Sequence, residues 1–199
     1  MRIFSAGKKP PVDAEASTDG ALLTAIADGD MKAFEQLHRR YFPKLMRFAL
    51  RITDCPNAAE EVADDTLMTV WRTADRFEGR SKPSTWMFGI AYRMSMKARQ
   101  KVAKRQNELE LDEGLVGTGE GEADQVILRT DLAQALKRLT PDLRAVVELT
   151  YFNGYIYTEI AEILECPVGT VKTRMMTARR RLRVMLEGND IIPVEKASA

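Results

Sequence analysis

The stretch Tyr157-Thr-Glu-Ile-Ala-Glu-Ile-Leu-Glu-Cys-Pro-Val-Gly-Thr-Val-Lys-Thr-Arg-Met-Met-Thr-Ala-Arg-Arg-Arg-Leu-Arg183 writes two helices joined by a tight turn. Ile160, Ala161, Ile163 and Leu164 recur at helical spacing, and small Ala161 lets a second helix approach closely. Glu165-Cys166-Pro167 interrupts the run, and Pro167 fits the first turn of a following helix. That helix turns Val171, Met175, Ala178 and Leu182 to one side. Lys172, Arg174, Arg179, Arg180, Arg181 and Arg183 add six positive charges with no acid between Val168 and Arg183. A plain helical hairpin needs no such charge pattern, whereas a helix lying among phosphates in a major groove does. The stretch reads as a helix-turn-helix that points to DNA.

Working outward, the overall charge is uninformative until its distribution is followed. Lys and Arg total 30 against 29 Asp and Glu, a net charge of +1, yet the charges are segregated. Ser81 to Arg105 holds bases and no acids, Asn107 to Gln125 acids and no bases, and the last helix is basic again. At 199 residues and 45% hydrophobic content the chain has material for two small cores. Cys55 and Cys166 lie far apart, and His38 is the only histidine, so neither a zinc site nor a disulfide framework is expected, and no cofactor. No apolar run approaches a membrane span, and Met1 to Thr18 lacks the apolar core of a signal peptide. A cytoplasmic protein without membrane insertion is expected.

The rest of the chain reads as helices with no convincing strand, an all-α fold. Leu22, Leu23 and Ile26 mark a helix from about Gly20 to Ala27, and Asp30 is placed to cap the next, with Phe34, Leu37 and Tyr41 on one stripe. Pro43 is expected to kink or restart that helix before Leu45, Phe48, Ala49 and Ile52. Asn57-Ala-Ala-Glu60 has capping-box spacing for a helix to about Phe77. Ser84 is expected to cap a helix running to about Arg105. Glycines and acids from Glu108 to Asp124 predict a flexible linker that leaves its flanking units without a fixed mutual arrangement. Helix resumes near Gln125 with Leu132, Leu136 and Leu139, and Thr140-Pro141 starts another with Leu143, Val146, Val147 and Leu149. The expected organisation is a tail over 1–18, a helical domain over 19–105, a linker over 106–124, a helix-turn-helix domain over 125–186 and a tail over 187–199.

Three segments in order carry a family resemblance: Leu139-Thr-Pro-Asp-Leu-Arg, Tyr157-Thr-Glu-Ile-Ala-Glu-Ile-Leu and Pro167-Val-Gly-Thr-Val-Lys-Thr-Arg. They follow a helical domain with an acidic helix, a loop and a Trp-bearing basic helix. The chain resembles the extracytoplasmic-function (ECF) group of bacterial sigma factors, over about Ala21 to Arg105 and Gln125 to Leu186. In that resemblance Asn57 to Trp71 is similar to the helix that binds core RNA polymerase, and Ser84-Thr-Trp-Met-Phe-Gly-Ile-Ala91 to the promoter-melting helix. Arg93 stands where many members carry Asn, Glu165 where the turn usually has glycine, and Thr177 where a basic residue is common.

The resemblance implies a non-enzymatic subunit that docks on core RNA polymerase and recognises promoter DNA, with a separate anti-sigma factor as regulator. It implies polymerase contacts at Glu61, Asp64, Asp65 and Met68. Thr170, Lys172, Thr173, Arg174, Met176, Thr177 and Arg179 are expected on the minus-35 duplex, where short side chains approach bases and cations hold phosphates. Lys82, Trp86, Arg93 and Lys97, continued by Lys101, are expected on the unpaired minus-10 strand, which needs cations beside a stacking platform.

Two other functions have specific requirements. A response-regulator type of transcription factor would pair its helix-turn-helix with a domain of alternating strands, which Ala21 to Arg105 does not read as. A carboxylate-metal enzyme built on Glu60, Glu61, Asp64 and Asp65 would need a Glu-x-x-His pair that the sequence lacks.

Overall fold

A computed structural model describes residues 12–113 and 127–187, with side chains over 18–105 and 131–187. Every regular element among them is helical. The order is α1 (Val12–Ala27), α2 (Met31–Thr53), α3 (Pro56–Thr73), a 3-10 turn (Ala74–Arg76), α4 (Pro83–Glu113), α5 (Ile127–Lys137), α6 (Pro141–Val147), a π-type turn (Glu148–Phe152), α7 (Tyr157–Ile163) and α8 (Val168–Leu186). Most of the expected linker and C-terminal tail, at 114–126 and 188–199, lie outside the described residues, as do residues 1–11.

Local chemistry explains the starts and stops. Asp30, in extended backbone, accepts hydrogen bonds from Lys32 N (2.8 Å) and Ala33 N (3.2 Å) and so caps α2. Pro43 does not restart that helix, which runs without a break from Met31 to Thr53. Leu37, Tyr41, Leu45, Phe48 and Ile52 form one buried stripe through it. Burying five large side chains at roughly 1.5–3 kcal/mol each exceeds the roughly 3 kcal/mol cost of an internal proline.

Five other boundaries also differ from the sequence reading. Pro56 occupies the first helical position of α3 after Cys55, so the Asn57 to Glu60 capping box does not form. A proline with preset φ and no N–H to satisfy starts the helix earlier. For the same reason α4 begins at Pro83, which puts Ser84 inside the first turn rather than at the cap. Helix α3 stops at Thr73, and the chain reaches extended Phe77 through the 3-10 turn. Helix α1 enters the expected tail and α4 the expected linker, because low apolar content alone does not stop a helix already nucleated.

Helices α1 to α4 pack into one unit and α5 to α8 into another, yet the two share a single hydrophobic core. The contacts between them form a seam along α2, α4, α6 and α7. Phe88 of α4 lies between Phe48 of α2, at 5.2 Å between ring centroids, and Tyr155 of the second unit, at 5.3 Å. The α7 backbone passes over Gly89, where a β-carbon would meet the Ile163 carbonyl oxygen at an ordinary contact distance of 3.9 Å. Polar contacts border this seam. Arg144 donates to the carbonyl oxygens of Arg51 (2.6 Å), Leu139 (3.2 Å) and Lys137, and Tyr92 donates to Asp142 (2.8 Å). Lys137 and Asp54 approach within 3.6 Å.

Candidate nucleic-acid interfaces

The helix-turn-helix is built by α7, a turn over 164–167 and α8. Leu164 N donates to Ile160 O (2.9 Å) and Cys166 N to Ala161 O (3.0 Å), folding the chain back at the end of α7. Glu165 takes the left-handed conformation there, at φ +50, so the turn forms although its residue carries a β-carbon. Pro167 precedes α8 rather than lying in its first turn, and its carbonyl receives Thr170 N and Val171 N.

Helix α8 buries Val171, Met175 and Ala178, with Leu182 half-buried behind them. The opposite side is presented to solvent: Lys172, Thr173, Met176, Arg179, Arg180 and Arg183 are exposed, and Met176 retains 67% of its surface. A large apolar side chain so exposed among cations is suited to a base edge or a thymine methyl. Not all the predicted set faces outward. Thr170 and Thr177 are half-buried, and Arg174 turns back toward its own unit, 3.4 Å from Asp142 and 3.9 Å from the Cys166 sulfur. Arg179 is steadied by Tyr151, donating to its hydroxyl at 3.0 Å.

On α4 the predicted residues meet different surroundings. Trp86 is half-buried and tilts against Phe77, with ring centroids 5.3 Å apart. Lys97 and Lys101 are exposed. Lys82 pairs at 2.9 Å with Glu159 of α7, and Arg93 pairs with Glu165 of the turn. The seam also has a buried charged part, formed by Arg144 and Glu148. Burial pushes the Glu148 carboxyl above the usual carboxylate range, opposed by Arg51 and Arg144, and burial lowers Arg144. The Arg51 guanidinium stands 3.3 Å from Glu148 Oε1. Burial, together with the bond to Asp142, also raises the Tyr92 hydroxyl and keeps it neutral.

The third predicted set lies on the far side of the first unit. Glu61, Asp64, Asp65 and Met68 are all exposed on α3. Sequence reasoning missed the aromatic strip beside them. His38 stacks on Phe42 with centroids 5.1 Å apart and lies 3.7 Å from Asp64, while Phe34 packs edge-on against Trp71 at 5.1 Å. The signal was present in the four-residue spacing of Phe34, His38 and Phe42. Glu159 and Glu165 were likewise passed over as partners of α4. Among the described residues no group of three or more His, Cys, Asp or Glu could hold a metal ion, and no helix is long and apolar enough to cross a membrane.

Comparison with known proteins gives this geometry a family. Residues 37–105 match the description "Sigma-70 region 2" and residues 129–182 "Sigma-70, region 4". The chain is 33% identical over 171 residues to the ECF RNA polymerase sigma factor RpoE of Cereibacter sphaeroides, covering 82% of this chain and 92% of that one. It is 30% identical over 181 residues to the ECF RNA polymerase sigma-E factor of Haemophilus influenzae, covering 85% and 95%. Among solved structures it is similar to the sigma factor RpoE in complex with the anti-sigma factor NepR from Bartonella quintana, with TM-score 0.61, 30% identity, and 79% and 98% of the two chains covered. It is also similar to CnrH in complex with the cytosolic domain of CnrY, with TM-score 0.66, 25% identity, and 87% and 99% covered. Two sigma-70 regions in order, matched in relatives along nearly their full length, make this chain a member of the ECF group of RNA polymerase sigma factors, which direct transcription initiation at promoters.

Proposed function

We propose a division of labour among the three surfaces in which α8 reads the minus-35 duplex, α4 captures the unpaired minus-10 strand and α3 docks on core RNA polymerase. The observation that carries it is the exposed side of α8, where Thr173 and Met176 stand among Lys172, Arg179 and Arg180 with no acid on the helix. Phosphate contacts from the cations supply affinity and register, while the shorter side chains discriminate bases. On α4, Trp86 is the stacking platform, with Lys82, Arg93 and Lys97 along the strand. On α3, Glu61, Asp64, Asp65 and Met68, extended by His38 and Phe42, offer acids beside a partly apolar strip to a basic, apolar partner.

The same reading places the functional units at 19–105 and 125–186, makes the protein a cytoplasmic DNA-binding subunit rather than an enzyme, and assigns it a separate anti-sigma factor. One of the similar solved structures is a complex of that kind, with the anti-sigma factor NepR. Transcription from candidate promoters with core polymerase and purified protein tests the whole. Addition of the chain is expected to create specific start sites. Trp86→Ala is expected to lower permanganate reactivity of the melted strand while polymerase binding persists, and Asp64→Lys with Asp65→Lys to weaken a polymerase pull-down. Absence of any start site on a broad promoter set, with polymerase bound, would sink the reading.

A further inference from the structure

Two of the cations assigned to the minus-10 strand, Lys82 and Arg93, are already occupied in the chain by itself. Glu159, Glu162 and Glu165 recur every three residues and share one side of the α7 segment. Glu159 holds Lys82 at 2.9 Å and Glu165 holds Arg93. Glu162, exposed between them, borders the same shallow groove as Arg80 and Lys82. A carboxylate presents a strand-binding cation with the kind of charge and acceptor oxygens that a phosphate does.

We propose that this acidic ridge is an internal competitor for the promoter strand, so that the free chain holds its melting helix closed until the two units separate. The inference rests on the reading of α4 as the strand-capturing helix. Each exposed ion pair is weak and screened by salt. Their effect comes from the apolar seam that makes them intramolecular: Phe88 against Tyr155, Gly89 beneath the Ile163 backbone, and Arg144 on the Arg51 carbonyl. A strand approaching α4 competes with carboxylates held at high effective concentration and has to displace α7 as well. On the exposed side of α8, Arg183 pairs with Glu187 of its own unit at 2.9 Å; opening the seam leaves this local pair unchanged, so duplex reading is not coupled to it.

The test uses the full chain and a fluorescent single-stranded oligonucleotide carrying a minus-10 sequence, read by anisotropy. Glu159→Gln, Glu162→Gln and Glu165→Gln are combined; Gln keeps the acceptor that receives Ile156 N at 3.0 Å from Glu159 and so preserves the start of α7. A control with the same charge change elsewhere combines Glu35→Gln, Glu60→Gln and Asp75→Asn, all exposed. The ridge variant is expected to bind about fivefold more tightly than the control, at the low end of the usual coupling between two sites. Gly89→Leu, which alters no charge and wedges α7 away, is expected to gain similarly over wild type, with folding checked by thermal melting. Equal affinities of ridge variant and control overturn the proposal, as does a folded Gly89→Leu protein that binds no better than wild type. Trp86→Ala in the ridge variant separates the two layers. If it leaves oligonucleotide affinity unchanged, the assignment of α4 fails. If it weakens binding while the ridge variant shows no gain, only the internal competitor falls.

Discussion

Helix α8 keeps Lys172, Met176 and Arg179 on one side and its buried contacts, Val171, Met175 and Ala178, on the other, all within its own unit. Helix α4 instead has Phe88 and Gly89 under the second unit, with Lys82 and Arg93 held by that unit's carboxylates. Both helices are basic and both belong to predicted DNA surfaces. The difference is where the packing partner comes from. A surface whose support is local is ready in the free chain, while one that doubles as a seam becomes available only when the seam opens.

The comparison is tested hardest at Phe88. Phe88→Ala removes a fully buried ring that touches both units, and an expected loss of about 3–5 kcal/mol should appear in chemical denaturation. Met176→Ala on the open side of α8 should change stability by no more than about 0.5 kcal/mol. Comparable losses in the two variants would mean that α8 is also part of a seam.

Next in size is Arg144→Met, which leaves three carbonyl oxygens without their donor and Glu148 without one of its two neighbouring cations. A cost of about 3 kcal/mol is expected, with a wider distribution of inter-unit distances in spin-label or fluorescence measurements. A distribution as narrow as that of wild type would show that the apolar contacts alone hold the units.

On α8 the effects should be on DNA rather than on folding. Thr177→Arg is expected to reorder a library of minus-35 variants by roughly 1–3 kcal/mol at the affected pair, whereas Lys172→Ala should weaken all of them alike and reduce the salt slope by about 1. If Lys172→Ala reorders the library and Thr177→Arg does not, the roles are reversed.

The smallest expected effect is electrostatic and sits in the seam. Burial raises Glu148 in the folded chain, so its contribution to stability is full below its unfolded value and is lost as pH rises through the folded one. Glu148→Gln cannot ionise. Its stability relative to wild type should therefore increase as pH rises from about 4, the ordinary glutamate value, in urea titrations at fixed ionic strength. A flat difference would mean that Arg51 and Arg144 compensate the charge completely.

Much of the architecture was legible because it depends on local periodicity. Ile160, Ile163, Leu164, Val171, Met175 and Ala178 were read as the inward side of a helix-turn-helix and are all buried. The acidic side of α3 and the basic side of α4 were equally visible, since charge segregation is a property of neighbours along the chain. Helix limits were less legible. Pro43 lies inside an unbroken helix because a tertiary stripe outweighs its local cost, and prolines at 56 and 83 took the first helical positions expected of later residues.

What the sequence by itself determined, then, was the set of helices, their buried sides and the chemistry of their exposed ones, because a helix brings together residues three and four apart whatever surrounds it. Only the tertiary structure decided that the two units share a core and that Glu159 and Glu165 meet the cations of α4. Those contacts join residues far apart in the chain, 50 positions for Tyr92 with Asp142 and 93 for Arg51 with Arg144. No periodicity encodes such a meeting. It follows from the shapes that meet where the α7 backbone passes over Gly89 and Phe88 finds Tyr155 across the gap.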